Sequence, residues 1–101
     1  MNAEKQPARA LVVDDEERNR RVLTAMLEVE GYVVLEAADG ERALELARQN
    51  PPDIVLLDIM MPGLDGYQVA RALKADEATR SVPIIMVTAL TDRGSLVKAL
   101  E

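Results

Sequence analysis

The stretch that decides the fold runs from Ile54 to Gly66 and reads IVLLDIMMPGLDG. Its first four residues form an unbroken apolar run, which predicts a strand buried on both faces of a parallel sheet. A carboxylate, Asp58, closes this strand, and the Pro and Gly residues that follow predict a loop. Asp65-Gly66 indicates a turn and a helix start. The apolar residues of that helix recur at helical spacing: Val69, Ala70 and Leu73.

The same order of elements repeats along the chain. Three further apolar runs predict strands: Arg9–Val13, Tyr32–Ala37 and Ile84–Val87. Apolar residues at helical spacing predict one helix from Glu17 to Glu30 and another around Ala43–Ala47. Gly31 suits a left-handed cap after the first helix, and Pro51-Pro52 ends the second. Strands that alternate with helices predict an α/β fold with a doubly wound parallel sheet.

The composition of the chain argues against several classes of protein. The 101 residues are 49% hydrophobic, enough for one domain. Cys and His are absent, which excludes disulfides and makes a zinc site unlikely to form. A formal net charge of -6 argues against direct nucleic-acid binding. The polar start of the chain resembles no secretory signal, and no apolar run is long enough for a bilayer, so we expect a soluble, cytoplasmic protein.

Three of the predicted strands end in polar residues: Asp14-Asp15, Asp58 and Thr88. Because ligands of such sheets bind outside the carboxyl ends of the strands, we expect these side chains to share one crevice. Carboxylates brought together repel one another unless a cation neutralises them, and Mg²⁺ prefers oxygen ligands. Asp58 could then attack a phosphoryl group, with the Thr88 hydroxyl donating a hydrogen bond to it.

In order and spacing, these residues resemble the motifs of response-regulator receiver domains. The resemblance rests on Asp14-Asp15, on the stretch from Asp58 to Gly66, and on Thr88-Ala89. It implies a flavodoxin-like sheet of strand order 2-1-3-4, with residues 1–8 as an N-terminal tail and 9–101 as a truncated receiver domain. It also implies a phosphoacceptor signalling module of a two-component system rather than an enzyme.

The resemblance further implies a role for each site residue. Asp58 would accept a phosphoryl group from the phosphohistidine of a histidine kinase or phosphotransfer protein. Asp15 and Asp58 would bind Mg²⁺, with Asp14 assisting through water and the main-chain carbonyl of Met60 as a further ligand. Thr88 would contact the phosphoryl oxygens as the switch hydroxyl, and Ala89 would contact them through its backbone.

The sequence departs from the receiver pattern after the fourth strand. Leu96, Val97 and Leu100 predict a last helix, and the chain stops at Glu101, before the fifth strand, its Lys-Pro pair, the aromatic switch residue and the fifth helix. Arg93 or Lys98 is a weak substitute for that Lys. We expect the fourth strand to be an uncovered edge and helix one an uncovered face, which predicts a homo-oligomer formed through both.

Simpler interpretations exist for each motif. Asp14-Asp15 alone fits an acidic helix start, and Thr88 alone fits a strand-end cap. For the whole chain, the alternative function is a receiver-derived dimerisation or protein-interaction module with little phospho-switching, because the fifth-strand Lys is absent. A hydrolase that uses Asp58 as nucleophile is disfavoured, because no Asp follows two residues later and no general acid-base group is near.

Overall fold

The computed structural model describes residues 7–87 and the backbone of 97–100. Its elements, in chain order, are β1 Arg9–Val13, α1 Glu17–Val29, β2 Val33–Ala37, α2 Gly40–Gln49, β3 Ile54–Asp58, α3 Gly66–Ala75, β4 Ile84–Val87 and β5 Val97–Leu100. Every strand and helix predicted as far as Val87 is present, with bounds within one residue at most positions. None of the helices in these described ranges is long and apolar enough to cross a membrane.

The sheet confirms the predicted topology. Its first four strands are parallel and lie in the order β2-β1-β3-β4. The pairing of β1 with β3 sets Val13 beside Leu57, and the pairing with β2 sets Val13 beside Ala37. The carboxyl ends of β1 and β3 are therefore level with each other, which positions the residues that follow them.

The prediction of a last helix after β4 is wrong. Val97–Leu100 forms β5, which pairs antiparallel with β4 from Val87↔Val97 to Ile84↔Leu100. A strand here satisfies main-chain groups along the edge of β4 that a helix would leave without partners. The prediction that the edge of β4 is uncovered is therefore also wrong, and this edge is not available for pairing with a second copy.

The two faces of the sheet are covered unequally. On one face α2 and α3 pack over a large apolar cluster that includes Leu57, Val69 and Met86. On the other face, a smaller buried cluster of Val12, Leu23, Leu56 and Val87 receives Leu23 from α1, and Leu27 of α1 packs against it while partly buried. Hydrophobic side chains of α1 remain exposed, as the sequence predicted for a helix-one face: Val22, Met26 and Val29.

Local signals set the helix ends. Gly31 adopts a φ of 95°, and its N–H donates to the Glu28 carbonyl, so the left-handed cap predicted after α1 is confirmed. Asp65 and Gln68 form a capping box at the start of α3, which confirms the predicted helix start at Asp65-Gly66. The Gly31 cap fixes where α1 ends and the chain turns into β2, whereas the Asp65 cap fixes where the loop after the carboxyl end of β3 turns into α3.

Candidate functional site

Three carboxylates meet at the carboxyl ends of β1 and β3. Asp14 and Asp15 directly follow β1, and Asp58 is the last residue of β3. One oxygen from each of the three lies within 4.8 Å of the others. Asp14 and Asp58 are buried, at 2% and 6% exposure, whereas Asp15 is exposed. The convergence that the sequence predicted for these residues is present in the structure.

Asp14 is held from several sides. Its N–H donates to the Ala37 carbonyl of β2 at 3.1 Å, which extends the β1–β2 pairing by one residue. Its carboxylate accepts a hydrogen bond from the Glu16 N–H at 2.9 Å, and the nearby side chain of Asn19 acts to lower its pKa. The Arg20 guanidinium donates to its main-chain carbonyl at 2.9 Å. Both the backbone and the side chain of Asp14 therefore have defined partners.

Asp58 is placed by the loop that follows it. Its Oδ1 accepts a hydrogen bond from the Met60 N–H at 3.2 Å. Gly66 packs directly against this strand end, because a Cβ there would overlap the Asp58 carbonyl oxygen and lie 2.8 Å from the Ile59 Cα. The Gly66 N–H donates to the Ile59 carbonyl at 3.0 Å. Only Gly lets α3 begin so close to the site.

The electrostatics of the cluster are unfavourable without a cation. Burial raises the pKa of Asp58 to about 7, with the negative charge of Asp14 as the next cause. The Met60 N–H lowers this pKa, and Asp15 raises it by its charge and by a hydrogen bond. Burial is also the main reason that the pKa of Asp14 is raised. Within residues 7–87, no Lys or Arg forms an ion pair with any of the three.

The donor set fits Mg²⁺. All three groups offer hard carboxylate oxygens, which this ion prefers. With metal–oxygen distances of about 2.1 Å, two ligands of one Mg²⁺ lie at most about 4.2 Å apart. The observed upper limit of 4.8 Å exceeds this value by an amount that small side-chain rotations could remove. Receiver domains are in general Mg²⁺-dependent, and this acidic group could bind the ion.

The roles of the remaining predicted site residues stay predictions, for two different reasons. Met60 is next to the site, but its side chain points to solvent at 75% exposure, and its carbonyl as a ligand stays a prediction. Thr88, Ala89 and Arg93 lie outside the described residues, as does the side chain of Lys98. Their roles also stay predictions.

Sequence reasoning missed two residues of α1, Asn19 and Arg20. Asn19 is 5% exposed and lies one helical turn before the buried Leu23. A buried amide needs a hydrogen-bond partner, so a polar residue on the inward side of α1 was a signal that could have been read. Arg20 gave no such signal, because one of its two partners, Glu36, comes into reach only when β1 and β2 pair.

Fold and site together define a receiver domain, and comparison with known families agrees. The response regulator receiver domain family matches residues 10–101. The chain belongs to this family, whose members are signalling modules of two-component systems rather than enzymes in the usual sense.

Individual relatives support the assignment. The chain is 52% identical over 94 residues to the response regulator PleD of Caulobacter vibrioides, covering 93% of this chain and 21% of PleD. It is 51% identical over 81 residues to the protein PilH of Pseudomonas aeruginosa, covering 80% of this chain and 67% of PilH. The chain thus spans about a fifth of the length of PleD.

A solved structure agrees with the fold. The N-terminal domain of a response regulator receiver protein from Methanoculleus marisnigri JR1 superimposes with a TM-score of 0.75 at 44% identity. The match covers 78% of this chain and 64% of that chain. The predicted flavodoxin-like architecture is therefore confirmed.

Proposed function

We propose that Asp58 accepts a phosphoryl group from the phosphohistidine of a histidine kinase or of a phosphotransfer protein, in a reaction that requires Mg²⁺. The observation that carries this proposal is the convergence of three carboxylate oxygens within 4.8 Å at the ends of β1 and β3. Receiver domains in general interact with kinases and phosphotransfer proteins of this kind. An acidic cluster with no cationic partner among residues 7–87 supports binding of a metal at this position.

The transfer would be a direct displacement at phosphorus. A carboxylate oxygen of Asp58 forms the new O–P bond while the N–P bond of the phosphohistidine breaks, and the electron pair stays on the imidazole nitrogen. Only ionised Asp58 is a nucleophile, and a pKa of about 7 leaves part of it protonated at neutral pH, so a nearby positive charge that lowers this pKa would favour transfer. Bound Mg²⁺ would supply that charge and would also stabilise the oxygens of the transferring group.

The other site residues would have supporting roles. Asp14 and Asp15 would bind the metal together with Asp58 and the main-chain carbonyl of Met60. The Thr88 hydroxyl and the Ala89 backbone would contact the phosphoryl oxygens. A phosphoryl group adds charge and hydrogen-bond acceptors, so a move of the Thr88 hydroxyl towards it would convert a local change into a changed surface for a downstream protein.

The setting of this module is also a proposal. We place the protein in the cytoplasm, where a histidine kinase could reach it. Self-association would use the helix-one face, where Val22, Met26 and Val29 are exposed. Met26 and Val29 also line a cavity of about 400 Å³ together with Leu56. The alternative, a dimerisation or protein-interaction module with little phospho-switching, rested on the absence of the fifth-strand Lys, and no observation on the described residues favours it.

The decisive experiment is intact mass spectrometry of the protein with acetyl phosphate, with and without Mg²⁺. We expect the mass of one phosphoryl group to be added only with Mg²⁺, and not in Asp58→Asn. Asp39→Asn is the matched control, because Asp39 is not one of the three clustered carboxylates and caps α2 through a hydrogen bond of 2.8 Å that Asn can also accept. Equal incorporation in Asp58→Asn, or none in the unmodified protein with Mg²⁺, would contradict the proposal.

A further inference from the structure

We propose that Arg20 is a positioning residue of the acidic site, which orients Asp14 and Asp15 by holding the main-chain carbonyl between them. This inference rests on the proposed function, because the group that Arg20 positions is the proposed metal site.

The guanidinium of Arg20 bridges two segments of the fold. Its Nη1 donates to the Asp14 carbonyl at 2.9 Å, and its Nε donates to Glu36 Oε1 of β2 at 3.2 Å. The side chain is only 17% exposed, so solvent competes weakly for these bonds. A planar guanidinium with donors on two sides can make both bonds at once, which a Lys ammonium on a flexible chain reproduces poorly.

Glu36 is itself fixed. Its second carboxylate oxygen accepts a hydrogen bond from the Thr24 hydroxyl of α1 at 3.0 Å. Glu36 lies beside Val12 in the β1–β2 register, two residues before Asp14. The hydrogen bonds therefore run continuously from Thr24 through Glu36 and Arg20 to Asp14, and they join α1 and β2 to the loop that carries two of the three carboxylates.

The bond to the Asp14 carbonyl acts on both acidic residues. This carbonyl belongs to the peptide unit that joins Asp14 to Asp15, and the N–H of Asp14 is already held by the Ala37 carbonyl. Fixing the peptide unit limits the directions of both Cα–Cβ bonds, since each peptide unit is planar. Without Arg20, that peptide unit would lose its partner on the carbonyl side.

The charge of Arg20 does not replace the missing cation. Its ion pair with Glu36 balances the positive charge, and its contact to Asp14 is with the main chain and not with the carboxylate. Arg20 therefore affects the site through geometry and leaves the three carboxylates in need of a metal.

The test is calorimetric titration of the phosphate-free protein with Mg²⁺. We expect Arg20→Gln to weaken Mg²⁺ binding by about tenfold, the low end for loss of a residue that supports metal ligands. Arg20→Lys keeps the charge and should weaken binding by a similar factor. Arg21→Gln is the matched control, because Arg21 is the next residue of α1, is 75% exposed and, among residues 7–87, forms an ion pair with Glu17 alone at 2.9 Å. We expect its affinity to stay within about twofold of the unmodified protein.

A second readout separates positioning from loss of structure. In the acetyl phosphate reaction, Arg20→Gln should need about ten times more Mg²⁺ for half-maximal rate, but should approach the unmodified rate at saturating Mg²⁺. A variant that is merely less folded would lose rate at saturation as well. Far-UV circular dichroism, recorded at the temperature of the titration, checks the helix content.

Each possible result either supports or overturns the positioning role of Arg20. A folded Arg20→Gln with unchanged Mg²⁺ affinity, or full recovery in Arg20→Lys, would overturn it. If Arg20→Gln does not fold, Glu36→Gln tests the same connection: weakening of about threefold supports positioning, and unchanged affinity refutes it. Absence of Mg²⁺ binding in the unmodified protein would instead refute the proposed function, so the two failures are distinguishable.

Discussion

Leu57 and Asp58 are neighbours on β3, yet they belong to regions that act on stability in opposite directions. Leu57 is completely buried in the apolar cluster beneath α2 and α3, where removal of hydrocarbon from water stabilises the fold. Asp58 lies in the acidic rim at the carboxyl end of the sheet, where burial and the charge of Asp14 oppose its ionisation. The proposed phosphorylation site therefore lies where burial opposes the ionisation of a carboxyl group. The residue before it in β3 is part of the core that stabilises the fold.

The largest expected effect comes from the core. Leu57→Ala should lower the free energy of unfolding by about 3 kcal/mol, because it leaves a cavity in a fully buried position. Leu56→Ala is the matched variant on the preceding residue, which faces the smaller cluster and lines the open cavity beside α1. Its cost should be nearer ~1–2 kcal/mol, since that site is already partly open. Urea unfolding followed by far-UV circular dichroism measures both, and equal losses would contradict the difference between the two faces.

A substitution in the acidic rim should raise the free energy of unfolding, whereas the substitutions in the core lower it. The folded state holds a proton on Asp58 up to a pKa of about 7, whereas in the unfolded chain an Asp releases it near pH 4. The contribution of this carboxyl to stability is therefore fully present below pH 4 and is lost as the pH rises to about 7. Asp58→Asn should accordingly be more stable than the unmodified protein at pH 8 without Mg²⁺, by about 1–3 kcal/mol.

Two controls sharpen this prediction about the rim. The advantage of Asp58→Asn should shrink at pH 5, where Asp58 is protonated in the folded protein. At pH 8, Mg²⁺ should raise the melting temperature of the unmodified protein more than that of the variant, because a ligand of the folded state stabilises it. A variant that is less stable than the unmodified protein at pH 8 would show that ionised Asp58 is not a cost to the fold.

The smallest effect on stability is expected on the outer side of α1. Val29 is 84% exposed at the end of this helix, so Val29→Lys should change the free energy of unfolding by less than about 0.5 kcal/mol. The new charge should nevertheless shift any self-association towards monomer, if the helix-one face forms the contact. Sedimentation velocity compares the two proteins, with Glu28→Gln on the adjacent residue as a control that changes the net charge by the same one unit. An equal shift in both variants would indicate a general effect of charge and not a contact at Val29.

Local pattern predicted most of the fold. β1, β3 and β4 match the apolar runs to within one residue at each end, because the central residues of a strand covered on both faces are apolar. The exception is Val97–Leu100, predicted as a helix and observed as β5. Short apolar segments fit either structure, and here the unpaired edge of β4, which is a property of the assembled sheet, decides.

The site was predictable in part for the same reason. Asp14, Asp15 and Asp58 follow buried strands, so parallel pairing was enough to predict that they meet. The support from Arg20 was not predictable, because its partner Glu36 is 16 residues away and comes into reach only when β1 pairs with β2. No periodicity in the sequence marks such a contact.

By itself, the sequence determined the succession of strands and helices and the acidic residues at the strand ends, since these depend on local apolar pattern and on residue type. Only the tertiary structure decided that β5 covers the edge of β4, that Gly66 brings α3 against Asp58, and that Arg20 holds the Asp14 carbonyl. Each of these depends on how whole elements pack against one another and on strand register, which the local apolar pattern does not fix.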